Sequence, residues 1–355
     1  MPTLTTPRRL LSSQFVDLLV GPHGIDRYLE LIRPELTIRD ARAEVVAVRR
    51  QTERSVTMTL RPNRAWQGFR AGQFVRVGVE IDGVRRTRTY SPASSEHAAG
   101  RSFELTLTTH PEGLVSRHVR AALRPGTIVH LGGAQGDFVL PARRPGRFLL
   151  ISGGSGITPV MSMLRTLCEE RHDGEVTFVH YARTAADWLY RPEAEALAAS
   201  NPNVRLAYVA TREGGPRVSA QALRSLAGDL DGALAAVCGP PSLIDAVRDC
   251  VPGEVLAETF TPPSLSVTGA AASGTLRFLR SDRTAEIAGG TLLEQAEAAG
   301  LTPEFGCRMG ICHTCTCRKA AGTVRNVLTG EVSDEEDEDI QLCISLPEGD
   351  VALEI

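Results

Sequence analysis

The sequence predicts three domains in a row: an antiparallel β-barrel, a doubly wound parallel α/β sheet, and a small module of short strands around one helix. Three observations carry this. The 355 residues exceed what one typical domain holds. Strand-like segments fill residues 42–142, and beyond them strands alternate with helices. Four of the eight cysteines crowd into residues 307–317.

The first domain is expected over 41–142, after a leader, 1–40, that reads as short amphipathic helices. ARAEVVAVRRQ, SVTMTLRP, GQFVRVGVEI, RTRTYSPAS, SFELTLTTH and TIVHLGGAQG are short, alternating or β-branched, and divided by turn residues. Regular short strands of this kind favour a small antiparallel barrel.

The period changes in the second domain, expected over 143–261. In FLLISGGSGITPVMSML a buried strand at 148–151 runs into a turn of Gly153, Gly154, Ser155, Gly156 and Thr158, and then into a helix. Glycines let the backbone approach a phosphate, and a helix N-terminus favours an anion. Strands follow at 176–182, 204–210 and 235–241, separated by helices at 192–200, 219–226 and 242–249. That alternation implies a parallel sheet covered on both faces. Residues 262–274, rich in Ser, Gly and Ala, read as a flexible linker.

In the last domain, 275–355, Cys307, Cys312 and Cys315 are spaced C-x4-C-x2-C, and Cys343 follows after 27 residues. This is the spacing of a plant-type [2Fe–2S] site. Gly306 and Gly310 let amides approach the sulfurs. Zinc sites usually pair two C-x2-C knuckles, and one is present here. Cys317 falls outside the pattern and reads as a small buried hydrophobe. Strands at 275–280 and 284–287, a helix over 291–300, and strands at 323–328 and 351–355 surround the cysteine loop. This order resembles the β-grasp ferredoxin fold.

Charge separates the modules. The net charge is −3, but residues 275–355 hold 7 basic and 15 acidic residues, and residues 1–274 hold 32 and 27. The acidic run 334–339, just before Cys343, reads as a solvated loop or as a steering patch for a basic partner. Arg outnumbers Lys 38 to 1, a coding bias and no footprint for nucleic acid. No apolar run approaches a membrane span, and the N-terminus lacks a signal-peptide core. A cytoplasmic protein with at most peripheral membrane contact is expected.

The barrel and the α/β domain together resemble the ferredoxin–NADP reductase superfamily. Arg88-Thr-Tyr90-Ser91 matches its R-x-Y-S/T flavin signature, and Gly113-Leu-Val-Ser116, 22 residues on, matches its G-x-x-S/T segment. The resemblance implies that Arg88 pairs with flavin phosphate, Tyr90 lies on the ring and Ser91 reaches N5. It favours FAD over FMN. GGSGITP matches the nicotinamide-dinucleotide loop. Cys238-Gly239-Pro240 matches the C-G-P segment beside the nicotinamide, with Cys238 a positioning residue. Glu258 and Phe260 fall where relatives place residues near the flavin. Thr211-Arg212 sits where users of NADPH hold the 2′-phosphate, so NADPH is favoured over NADH. The domain order and the leader's Tyr28-Leu-Glu-Leu-Ile32-Arg-Pro34 are similar to actinobacterial reductases that serve fatty-acid desaturases. The expected acceptor is a di-iron desaturase. The alternatives are a ring-hydroxylating or haem monooxygenase or, in another class, a redox-sensing interaction module.

Overall fold

The computed structural model describes Thr37, residues 40–260 and residues 273–355, apart from positions 82–83, 99, 101, 110–113, 229 and 311. The expected leader helices lie outside the described residues, as does nearly all of the expected linker. The chain divides into two compact units between Phe260 and Thr261.

The first unit holds two sheets. Strands β1 (Arg42–Arg50), β2 (Ser55–Pro62), β3 (Val75–Ile81), β4 (Val84–Tyr90), β5 (Phe103–Thr108) and β6 (Ile128–Leu131) form one antiparallel sheet in the order β4-β3-β6-β1-β2-β5. A bridge between Pro92 and Leu105 brings the end of β4 towards β5 and nearly closes the barrel. Alternation explains it. Val45, Met58, Leu60, Val75, Val77, Leu105 and Leu107 point inward, and Trp66 stacks on Phe103 with centroids 5.6 Å apart. Helix α1 (Leu114–Ala122) packs Val115 and Val119 onto this core.

The second sheet is parallel. Strands β7 (Arg147–Gly153), β8 (Glu175–Ala182), β9 (Val204–Ala210), β10 (Leu234–Cys238) and β11 (Val255–Glu258) lie in the order β11-β10-β7-β8-β9. The helices are α2 (Ile157–Glu169), α3 (Arg191–Ser200), α4 (Ala220–Ala227) and α5 (Pro241–Cys250). Strand β7 reads as an unbroken apolar run because both its faces are covered. Phe148 and Leu150 join the α2 residues Val160, Met161 and Leu164. Leu149 and Ile151 join Leu223 of α4 and Ile244 and Val247 of α5. The strand expected over 235–241 ends at Cys238. Pro240 and Pro241 have no N–H for a sheet ladder, and Pro241 starts α5 instead.

Two arginines stitch the sheets together. Arg144 bonds Glu96 (3.0 Å) between β4 and β5 and Glu170 (2.7 Å) at the end of α2. Arg165 of α2 bonds Glu104 of β5 (3.0 Å), Glu193 of α3 (2.6 Å) and the Ala93 carbonyl (2.8 Å), and lies over the Tyr190 ring.

The second unit is a mixed sheet. Strands β12 (Thr275–Phe278), β13 (Arg283–Glu286), β14 (Thr316–Asn326), β15 (Val332–Ser333) and β17 (Ser345–Leu353) follow the order β13-β12-β17-β14-β15, and β16 (Glu338–Gln341) also pairs with β14. Helix α6 (Leu292–Ala298) covers the sheet with Leu292, Leu293 and Ala296. A capping box of Thr291 and Glu294 fixes its start. Strand β14 begins earlier than the segment expected from 323, and β15 and β16 were not expected.

Candidate functional site

Three sequence motifs meet at the C-terminal edge of the parallel sheet. The glycine turn follows β7, Cys238 ends β10 beside Ser152, and Glu258 ends β11 beside Cys238. A Cβ on Gly156 would lie 2.3 Å from the Cys238 carbonyl oxygen, and one on Gly239 would lie 2.7 Å from Leu243 Cδ2. The turn therefore packs backbone against the Cys238-Gly239-Pro240 segment, and side chains at these glycines would part the two. Gly154 adopts φ +56°, and a Cβ there would meet nothing within 4 Å. Its outer side is open, as a phosphate approaching the N-terminus of α2 requires. Thr158 Oγ1 bonds back to the Ser155 carbonyl (3.4 Å) and shapes the turn.

Burial governs the chemistry here. Cys238 is fully buried, and burial, reinforced by Glu258, pushes its thiol well above the usual range. Burial thus favours the neutral thiol, the less nucleophilic form. Burial also pushes the Glu258 carboxyl up to about 8. Glu258 Oε2 and Ser91 Oγ are buried and have no hydrogen-bond partner. Buried polar atoms are nearly always satisfied, so these two, among eight such side-chain atoms in the described residues, are free to take a partner from a bound molecule.

A chain of neighbours joins Glu258 to the end of β4. Glu258 Oε1 lies 4.0 Å from where a Gly136 Cβ would stand, and Phe74 Cε1 lies 3.1 Å from it. Phe74 adjoins Val75, which pairs with Tyr90, and Ser91 follows. Tyr90 is half-buried. Burial pushes its hydroxyl up, while the Arg88 charge opposes this. Arg88 donates to the Thr87 carbonyl (2.8 Å). Ser116 lies in the first turn of α1, and Gly113 lies outside the described residues. The unpartnered Ser91 and Glu258 atoms and the glycine turn fit a flavin and a nicotinamide dinucleotide.

Thr211 and Arg212 follow β9 directly. The Thr211 hydroxyl donates to the Ala182 carbonyl (3.1 Å), and Arg212 is exposed. The nearby Glu213 carboxylate accepts from the Ala185 amide (3.0 Å), so an acidic group in this turn already has a backbone partner.

In the second unit the four predicted ligands converge. Cys307 pairs with Cys312, and Cys315 with Cys343. Within each pair one thiol is drawn down as acceptor, Cys312 by Cys307 and Cys315 by Cys343, while its donor is pushed up. Amides surround the sulfurs. Cys307 N–H donates to Cys312 Sγ (3.2 Å), Met309 N–H to Cys307 Sγ (3.3 Å) and Gly310 N–H to Cys343 Sγ (3.3 Å). Positive φ at Arg308, Gly310 and His313 turns the loop around them. A Cβ on Gly306 would sit 2.6 Å from Cys312 Sγ. Gln341 Nε2 holds the Gly310 carbonyl (2.8 Å), and Leu342 N–H holds that of Cys315 (3.2 Å), so β16 carries Cys343 to the loop. Four thiols ringed by amides fit an iron–sulfur cluster. All eight cysteines are free thiols. Cys317, expected as a small buried hydrophobe, is half-buried and packs against the core of this unit. Its thiol donates to the Arg318 carbonyl (3.5 Å), and burial raises it to about 11.

Barrel, glycine-turned parallel sheet and four-thiol loop together define a flavin- and nicotinamide-dependent iron–sulfur oxidoreductase. The chain matches the models of the oxidoreductase FAD-binding domain (residues 44–140), the oxidoreductase NAD-binding domain (150–249) and the 2Fe-2S iron-sulfur cluster binding domain (277–348). It belongs to the ferredoxin–NADP reductase-type flavin reductases with a C-terminal 2Fe-2S domain. It is 37% identical to an NADPH oxidoreductase of Mycobacterium tuberculosis, over 93% of this chain and 88% of that one. It is 30% identical to the glycine betaine monooxygenase reductase subunit of Pseudomonas aeruginosa, over 81% of this chain and 87% of that one. Among solved structures, phthalate dioxygenase reductase shares the fold with TM-score 0.60 at 22% identity, over 88% of this chain and 97% of that one.

Proposed function

We propose that the chain takes electrons from NADPH through FAD and a [2Fe–2S] cluster to an oxygenase, with a di-iron fatty-acid desaturase as acceptor. One observation carries the reading. The buried, unpartnered Ser91 and Glu258 atoms lie in the same chain as four converging thiols. The fold thus offers both a two-electron and a one-electron site.

Each residue then has a part. Arg88 holds flavin phosphate through its guanidinium fork. Tyr90 presents its ring to the isoalloxazine, and Ser91 offers its hydroxyl to N5. Gly113 and Ser116 receive the pyrophosphate, Ser116 from the first turn of α1. Gly153, Gly154, Ser155, Gly156 and Thr158 receive the dinucleotide. Cys238, Gly239 and Pro240 position the nicotinamide, and Thr211 with Arg212 receives the 2′-phosphate. The flavin, when bound, accepts two electrons at once and releases them singly, the form a [2Fe–2S] cluster takes. Cys307, Cys312, Cys315 and Cys343 hold that cluster.

The desaturase rests on the leader resemblance and the domain order. A second reading, a reductase for another oxygenase, is favoured by relatives named as reductase components of monooxygenases. Among the described residues no helix is long and apolar enough to cross a membrane. On this reading a membrane-bound acceptor is met peripherally, from the cytoplasm. Co-purification from the native host, followed by NADPH-driven product formation with each candidate oxygenase, separates the two. Desaturation supports the first reading, and product from another oxygenase alone overturns it.

A further inference from the structure

The Arg88-Thr-Tyr90-Ser91 motif and the glycine turn belong to different sheets, and one helix face joins them. Helix α2 starts at Ile157, directly after the turn. Its residues Ser162, Arg165 and Thr166, spaced i, i+3 and i+4, share one face. Ser162 and Thr166 are fully buried. All three hold the backbone of the segment that follows Ser91. Ser162 Oγ donates to the Ser94 carbonyl (2.6 Å), and Arg165 Nη1 donates to that of Ala93 (2.8 Å). Thr166 Oγ1 accepts the Glu96 amide (3.1 Å) and donates to the Ser162 carbonyl (2.8 Å).

Ser and Thr are poor helix formers, and a buried hydroxyl costs free energy unless it is bonded. Apolar packing alone would not place two of them inside α2. Their partner segment is held from its other side as well. The Ala93 amide donates to the Glu104 carbonyl (2.9 Å), and Ser94 Oγ accepts the Glu104 amide (2.9 Å). Arg165 spans both sides, since it also bonds the Glu104 carboxylate (3.0 Å). Residues 93–96 are thus clamped between β5 and α2. Only Pro92 separates Ser91 from Ala93, and Pro92 itself bridges to Leu105. Its ring fixes φ, so a shift of the clamped segment passes to Ser91 with little slack.

We propose that Ser162, Arg165 and Thr166 are positioning residues for hydride transfer: through residues 93–96 and the length of α2 they set the flavin site at Tyr90-Ser91 against the dinucleotide site at the glycine turn. This rests on the electron-transfer reading above. In that transfer a C–H bond of the reduced nicotinamide breaks and an N–H bond on the flavin forms, the hydrogen moving with both electrons. The reacting atoms must come within about 3–3.5 Å, and a misplacement of about 1 Å costs up to about a hundredfold in rate. The helix is a rod of fixed rise, so its grip on residues 93–96 converts directly into that spacing. The grip lies away from both the turn and Ser91. Loosening it therefore alters the distance between the two sites and leaves each site's own surface in place.

The test uses the full chain loaded with flavin and cluster. Thr166→Val keeps the shape and loses the hydroxyl, Thr166→Ser keeps the hydroxyl, and Ser162→Ala removes the second contact. Ile244→Val, in the core under α5, controls for lost stability. Stopped-flow bleaching of the flavin is followed across NADPH concentrations. Its limiting rate should fall about fivefold or more in Ser162→Ala and Thr166→Val. The NADPH Kd and the flavin content of both should stay within about twofold. Thr166→Ser and Ile244→Val should keep the limiting rate within about twofold. With NADPH deuterated at the transferred position, the slowed variants should show an isotope effect at least as large as that of the unsubstituted chain. Hydrogen exchange in the peptide spanning 93–96 should quicken in Ser162→Ala and Thr166→Val. An unchanged limiting rate in these two variants overturns the proposal, as does an equal fall in Thr166→Ser or Ile244→Val. So does a loss confined to NADPH or flavin binding. Failure of NADPH to bleach the flavin of the unsubstituted chain overturns the electron-transfer reading itself, and the positioning role with it.

Discussion

Cys238 and Glu258 stand side by side on adjacent parallel strands at the C-terminal edge of their sheet, Cys238 fully buried and Glu258 half-buried with its Oε2 enclosed. Burial of the carboxyl next to the thiol keeps each neutral, and a titration should reveal it. Glu258 is raised to about 8 in the fold, against about 4.3 in an unfolded chain. The folded protein thus holds a proton that the unfolded chain releases. The stability this contributes is full below about pH 4.3 and is lost as pH rises towards 8, by up to about 1.4 kcal/mol per unit. Urea unfolding of the flavin-free protein should show a midpoint that falls from pH 5 to 8. Glu258→Gln should flatten that fall, and an unchanged slope in the variant would contradict the assignment.

Gly156→Ala should be far worse than Gly154→Ala. The first puts a methyl 2.3 Å from the Cys238 carbonyl oxygen, while the second meets open space at a positive φ. Overpacking costs about 1–3 kcal/mol, and a left-handed alanine about 1–2 kcal/mol. Dinucleotide affinity should fall about tenfold or more in Gly156→Ala, because the turn is displaced from Cys238. Equal losses in both variants, read by calorimetry and NADPH titration, would contradict the packing argument.

Gly306→Ala should lose the cluster and Cys317→Ser should keep it. A methyl at 306 would press on Cys312 Sγ, whereas the Cys317 thiol turns to the Arg318 carbonyl. Iron and acid-labile sulfide per chain, with the low-temperature EPR signal after reduction, read the outcome. An intact cluster in Gly306→Ala would show that the loop relaxes.

Arg212→Ala should weaken NADPH about tenfold or more, the order expected for a lost charged hydrogen bond. NADH should be unaffected. A parallel loss for both dinucleotides would move the 2′-phosphate contact elsewhere, and no loss for either would leave Arg212 without this role.

Local patterns were legible, and contacts brought from afar were not. The glycine turn was readable because strand, turn and helix are contiguous. The cysteine loop was readable because three of its ligands lie within nine residues. Strand β11 escaped because Val-Leu-Ala-Glu is four residues long and half-buried throughout, with no alternation to betray it. Its partner is β10, and only that register puts Glu258 beside Cys238. Nothing in the sequence signals the burial of Lys319. A lysine in a strand reads as solvent-facing, yet this one is buried by carbonyls from Gly322, Ser333 and Glu335. The strand expected to 241 overran because an apolar run ending Cys-Gly-Pro-Pro continues the hydropathy but not the ladder.

The central claim is that one chain carries electrons from NADPH through a flavin to the four-thiol cluster. Stopped-flow mixing of the holoprotein with NADPH, following flavin and cluster absorbance together, tests it most directly. Both chromophores should bleach, the flavin first. In Cys312→Ser the flavin should bleach as before, ferricyanide reduction should persist and cytochrome c reduction should fall about tenfold or more. A purified chain carrying neither absorbance, or a Cys312→Ser protein that reduces cytochrome c at the full rate, would contradict it.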